Sequence, residues 1–144
     1  MYDRIAVIYD DSPESTRALS AALPIARMFN ATLEVIVMMA RTPAYTAYAQ
    51  AVIPEAGELL AEDRIASYGG LQERAMKSAR DAGVEPEFHL FESDEHHDVI
   101  TRLKDSKTAL LILGLHHKGP VISRLWRSVY SFAEDAPCSV LGVH

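Results

Sequence analysis

Cysteine is nearly missing from this chain: Cys138 stands alone, which excludes an internal disulfide framework and most thiolate metal sites. Long apolar runs are missing too. No stretch approaches the ~20 apolar residues of a membrane span, and the opening MYDRIAVIYDDS lacks the basic segment and extended apolar run of a secretory signal. A cytoplasmic location without membrane association is therefore expected. Positive charge is in deficit: 14 Lys and Arg face 20 Asp and Glu, a formal net charge of -6. With a pI near 5.4 and no dense Lys/Arg stripe, nucleic acid is not expected as the main partner. The patterns G-x-S-x-G, H-E-x-x-H, C-x-x-C and the P-loop do not occur, so the common nucleophile, zinc and phosphate-binding signatures give no catalytic residue.

What is present suits one soluble domain over residues 1–144. Hydrophobic content is 49% and charged content 24%, ordinary for a globular chain, and about two-thirds of the unfolded surface is buried at this length.

Strands and helices alternate along the chain. Arg4 to Tyr9 is short, apolar and β-branched, as a strand covered on both faces should be. Ser12 before Pro13 is a helix N-cap followed by a first-turn proline. Ala18, Leu19, Ala22, Leu23, Ala26 and Phe29 then recur at helical spacing to about Asn30, with Pro24 expected to bend the helix. Leu33 to Met39 is a second strand. Residues 40 to 57 carry two prolines, two tyrosines and no clean period, and read as a long loop, either a mobile surface segment or a lid. Helical spacing resumes from Leu60 to Ala79, with Gly69 and Gly70 a weak point and Gly83 a stop. Glu87 to Phe91 is a third strand, placed at an edge by Pro86. A short helix carries Val99, Ile100 and Leu103. Thr108 to Gly114 is the strongest buried-strand signal, Leu125 to Ala133 form an apolar helix face, and Ser139 to Val143 close as a fifth strand. This alternation predicts an α/β fold with a parallel sheet and helices on both faces.

The junction from Leu110 to Val129 holds the first candidate site. A buried strand ends at Gly114, and a turn with His116, His117 and Lys118 leads, past Arg124, into a helix. A strand-to-helix loop of this kind can hold an anion on backbone N–H groups. An ordinary solvated βα loop accounts for the same residues equally well.

Over its whole length the chain resembles a universal stress protein, of the adenine-nucleotide alpha-hydrolase-like group. The resemblance rests on the opening RIAVIYDDSPES, the segment LLILGLHHKGPVISRLWRSV and the ending APCSVLGVH. It implies a Rossmann-like five-stranded parallel sheet of order 3-2-1-4-5, with Asp10 and Gly114 meeting at the crevice between strands 1 and 4, where such sheets bind ligands. It also implies ATP or AMP as ligand, with Mg2+ only alongside ATP.

The resemblance maps the family's phosphate motif, G-x-x-G, nine residues, then G-[S/T], onto Gly114, His117, Arg127 and Ser128, with Val129 following. His117 and Arg127 stand where glycines are expected. A Cβ at those positions obstructs close backbone approach to phosphate or a positive φ, although Arg127 could offer a bidentate fork and His117 a donor. Gly119 could add an N–H to an anion nest. At the nucleoside end the resemblance assigns Asp10 to the adenine or ribose region and Met38 to an apolar contact with the base. Asp10 also reads as a turn residue capping the next helix, and Met38 as core. A degenerate nucleotide site in a protein that binds rather than catalyses is the leading expectation, and a working ATP or AMP site with at most slow hydrolysis the alternative.

Two further features need weighing. Asp94, Glu95, His96, His97 and Asp98 form a dense set of ligand types, with His116 and His117 a second pair. Strands 3 and 4 would however lie roughly 14 Å apart, and neighbouring helical side chains diverge by about 100°; a solvated acidic helix start is the simpler reading, a histidine-based metal-binding protein stands as the last-ranked alternative function, and no metal residue is assigned. Cys138 reads as a small buried residue. The resemblance implies a homodimer through strand 139–143, whose hydrophobic edge would otherwise invite aggregation, and an unidentified regulatory protein partner.

Overall fold

The computed structural model describes residues 1–38, 51–91, 96–115 and 131–144. Its strands are β1 (Arg4–Ile8), β2 (Thr32–Met38), β3 (Glu87–Phe91), β4 (Leu110–Gly114) and β5 (Ser139–Val143). They form one sheet in the order β3-β2-β1-β4-β5, parallel at each of its four pairings. The helices are α1 (Pro13–Phe29), α2 (Pro54–Asp81), α3 (His96–Asp105) and the described part of α4, residues 131–135.

Strand alternation sends side chains to two opposite apolar layers. Ile5, Val7, Val35, Val37 and Ile112 meet α1 and the Ala75 and Ala79 face of α2. Ala6, Ile36, Leu111 and Leu113 meet Val99 and Leu103 of α3 and Phe132 of α4. Because β1 and β4 are covered on both sides, their sequences run apolar without alternation. Pro86 precedes β3, an edge strand, as expected from its missing N–H.

α1 follows its sequence signals closely. Ser12 Oγ accepts from the Ser15 amide at 3.2 Å, Pro13 opens the helix, and Asn30 closes it at φ 50°. The helix runs as one element through Pro24. That proline lies on the exposed face, where water can satisfy the carbonyl that it leaves without an amide partner.

Several boundaries differ from the sequence reading. The predicted loop over 40–57 gives way to helix: residues 51 and 52 are already helical and α2 begins at Pro54, a natural first-turn position. Residues 39–50 lie outside the described residues. Gly69 and Gly70 do not interrupt α2, since each glycine costs a helix only about 0.5–1 kcal/mol and Tyr68, Leu71, Ala75 and Ala79 pack against the core. Gly83 does end the region, at φ 75°, its amide bonded to the Arg80 carbonyl at 2.9 Å. Thr108 falls outside β4 because its amide caps α3, bonding the Leu103 carbonyl at 2.9 Å.

Among the described residues one charge lies in the core. Glu34 of β2 is fully buried and accepts from Arg102 Nε of α3 at 2.9 Å. Arg4 Nε faces its other oxygen at 3.9 Å, and the Arg4 guanidinium also pairs with Glu87 at the start of β3. The cluster ties β1, β2, β3 and α3 together.

Candidate functional site

Parallel sheets expose the C-terminal ends of their strands where the chain order reverses, here between β1 and β4. Ligands of open α/β sheets bind at such a point. Asp10 leaves β1 there and is exposed. Its Oδ1 accepts from the Ser12 amide at 3.0 Å, and its own amide donates to Ser15 Oγ at 3.2 Å. The turn role and the crevice position thus coexist: one carboxylate oxygen closes the turn, while the residue stands at the mouth of the switch point.

Gly114 ends β4 directly against the first turn of α1. A Cβ at Gly114 would lie 2.3 Å from the Glu14 carbonyl oxygen and 2.4 Å from its carbonyl carbon, which no side chain can occupy. This glycine is demanded by the packing of helix on strand, whatever ligand the crevice takes. Beyond it, the Leu115 amide bonds the Val143 carbonyl of β5 at 2.7 Å.

Met38 ends β2, partly buried against the α3 side of the core, so the core reading of this residue describes most of its contacts. His117, Gly119, Arg127, Ser128 and Val129 lie outside the described residues, as does His116. Of the expected site residues, the structure therefore brings Asp10 and Gly114 to the same sheet edge on adjacent strands, with Met38 at the end of the next strand.

Sequence reading missed the residues that hold the Asp10 turn. Asp11 has φ 64°, a left-handed conformation uncommon for a residue with a Cβ, though Asp and Asn tolerate it best. Each of its carboxylate oxygens has a partner: the Tyr9 hydroxyl donates to Oδ1 at 2.7 Å, and Arg74 Nη2 of α2 reaches Oδ2 at 2.8 Å. The Tyr9 hydroxyl and Arg74 hold the Asp11 carboxyl below its usual value. Burial, then the Asp11 carboxylate, push the Tyr9 phenol up to about 12. The only signal in the sequence was the doublet Asp10-Asp11 ahead of Ser-Pro.

Of the histidines weighed as metal candidates, His96 and His97 have different surroundings. His96 Nε2 lies 3.0 Å from Asp135 Oδ2 of α4 and its ring meets Phe132 edge-on at 5.9 Å, whereas His97 is exposed. Among the described residues no three His, Cys, Asp or Glu side chains converge as a metal site would require; Asp94 and Glu95 lie outside them. Cys138 is half-buried, and burial raises its thiol above the ordinary range, the opposite of an activated thiolate.

The model of the universal stress protein family matches residues 1–144. The chain belongs to the universal stress protein family. Its fold is shared with solved members across kingdoms. Universal stress protein UspA from Lactobacillus plantarum is 19% identical with a TM-score of 0.75, the match covering 99% of this chain and 98% of that one. A universal stress protein from Archaeoglobus fulgidus solved in complex with dAMP is 17% identical with a TM-score of 0.67, over 99% and 98% of the two chains. An Arabidopsis thaliana family protein solved with AMP bound is 16% identical with a TM-score of 0.68, over 97% and 90%. At these identities the likeness is one of fold. A comparison with curated proteins gave no match. Like those universal stress proteins, the chain has the 3-2-1-4-5 parallel sheet, and no helix among its described residues is long and apolar enough to cross a membrane.

Proposed function

We propose that this universal stress protein is a cytoplasmic stress-response regulator that acts by binding rather than catalysis. Its adenine-nucleotide site retains the nucleoside end and is weakened at the polyphosphate end. The observation that carries this reading is Asp10, an exposed carboxylate at the mouth of the β1–β4 switch point, with one oxygen engaged in its own turn. A carboxylate there suits the hydroxyl and amino donors of a nucleoside. Solved relatives hold AMP and dAMP, ligands with a single phosphate. The substitutions at the phosphate motif support the second half: His117 and Arg127 carry side chains where backbone N–H groups would otherwise approach phosphate oxygens. In this reading Mg2+ accompanies ATP alone, and Gly119, Ser128 and Val129 line the phosphate end.

Calorimetric titration with AMP and with Mg-ATP tests the reading. AMP should bind, Asp10→Ala should abolish it, and Mg-ATP should bind no more tightly than AMP until Arg127→Gly restores backbone access. Mg-ATP binding far tighter than AMP in the unaltered chain would show an intact site instead, and no binding of either would remove the nucleotide from the function.

We infer also that two copies associate through β5 and that the dimer presents a surface to a regulatory protein partner. Leu141 is 36% exposed on a strand that pairs with β4 on one side, a hydrophobic edge of the kind proteins cover by association. Light scattering should give a dimer mass, reduced to a monomer by Leu141→Lys; an unaltered mass in the variant would place the interface elsewhere.

A further inference from the structure

We propose that Arg74 of α2 is a positioning residue for the ligand crevice: acting through Asp11 and Tyr9, it holds the left-handed turn that presents Asp10. This rests on the nucleotide reading above for its functional consequence, but not for its geometry.

The geometry begins with the turn. After β1 the chain must reverse into α1 within a few residues, and it does so with Asp11 at φ 64°. Glycine would adopt that conformation freely, whereas a residue with a Cβ resists it. The turn therefore persists only if the surroundings hold it. They do so through both oxygens of the Asp11 carboxylate, one on the Tyr9 hydroxyl and one on Arg74. Tyr9 is itself fixed, 3% exposed, with its amide on the Ile36 carbonyl at 2.8 Å. Arg74 is mobile by nature, but Gly70 lies one helical turn before it. A Cβ at Gly70 would sit 3.3 Å from Arg74 Nη1. A glycine in mid-helix, otherwise a cost, leaves room for the guanidinium.

An isolated surface ion pair contributes little to stability, so the effect of this one falls on the turn. Asp10 and Ser12 flank Asp11, and their capping bonds depend on its conformation. When Asp11 is released, Asp10 samples orientations that do not face the crevice. An exposed ion pair can shift the population of the competent turn by about two- to fivefold, and apparent affinity falls by the same factor. α2, which packs beside α1 on the same face of the sheet, is thereby coupled to the β1–α1 loop.

The test is a double-mutant cycle on Arg74→Ala and Asp11→Gly, read in two ways: AMP affinity by calorimetry, and amide hydrogen exchange at Asp10 and Ser12 in ligand-free protein. Arg74→Ala should weaken AMP and speed exchange at those two amides by about two- to fivefold, with the melting temperature nearly unchanged. In the Asp11→Gly background, where the turn is free of strain and the carboxylate gone, Arg74→Ala should change neither quantity. Unchanged exchange and affinity in Arg74→Ala would overturn the proposal. So would an equal effect in the glycine background, which would mean that Arg74 acts by another route. If the unaltered chain takes up no AMP, the nucleotide reading fails while the exchange measurement still decides the clamp.

Discussion

Gly114 and the backbone of Glu14 occupy adjoining space so tightly that the Cα hydrogen of one is all that fits beneath the carbonyl of the other. The end of β4 and the first turn of α1 are thus one packing unit, and the β1–α1 loop carrying Asp10 is seated by it. Gly114→Ala should destabilise the chain by about 1–3 kcal/mol, the range for overpacking a well-filled core. Urea denaturation should show the midpoint falling with little change in slope, while Gly69→Ala, where the space is open, should leave the midpoint unchanged or higher.

The α1 cap gives a second prediction. Ser12 Oγ satisfies the Ser15 amide, one of the amides that a helix start leaves without an intrahelical partner. Ser12→Ala should cost about 1 kcal/mol, and Ser12→Gly a few tenths. No loss in Ser12→Ala would show that the cap hydrogen bond contributes nothing of its own.

Two titrations report on the Asp11 turn, with opposite signs. The Tyr9 phenol is pushed up to about 12, chiefly by burial. Its neutral form supports the fold fully below the unfolded phenol value of about 10, and that support is lost as pH rises through 12. Ultraviolet titration should find a late-ionising tyrosine that Tyr9→Phe removes. The Asp11 carboxyl is held low, so its contribution is present above the unfolded carboxyl value of about 4 and disappears as pH falls through the folded one. Acid titration by NMR should show Asp11 protonating later than a free aspartate, with the delay reduced in Tyr9→Phe and in Arg74→Ala.

The buried carboxylate supplies a fourth. Removing one partner of a buried pair leaves the other charged and uncompensated, typically at a cost of about 3–5 kcal/mol. Arg102→Ala should approach that range, because it leaves the fully buried Glu34 with Arg4 alone, itself shared with Glu87; Glu34→Ala should cost less, since Arg102 is partly exposed and Arg4 keeps Glu87. Glu34→Leu combined with Arg102→Met should recover much of the Arg102→Ala loss. Thermal unfolding of the three variants decides it; if the double substitution is no more stable than Arg102→Ala, the cluster contributes more than a matched apolar core would.

The sequence by itself determined the elements and their order. Apolar runs for covered strands, the Ser12-Pro13 start, the Asn30 and Gly83 stops and the helical spacing of Ala18 to Ala26 are local signals. They are written in residues that the backbone needs at those points, and they imply a parallel sheet with β3 at an edge, whereas the order 3-2-1-4-5 and the edge place of β5 are what the family resemblance implies. Residues 51–57 divide between the two: Pro54 is a local first-turn signal, but the packing of Tyr68, Leu71, Ala75 and Ala79 that holds α2 on the sheet lies beyond that start and is tertiary. The site divided in the same way. Asp10 and Gly114 are placed at the switch point by the strand order that the family resemblance implies. That Gly114 answers to Glu14, that Glu34 is ion-paired inside the core, and that Arg74 reaches the turn at Asp11 from 63 residues away in sequence were decided by tertiary structure alone. Such contacts depend on distances between elements, and no periodicity or spacing along a chain encodes the distance between side chains that only folding brings together.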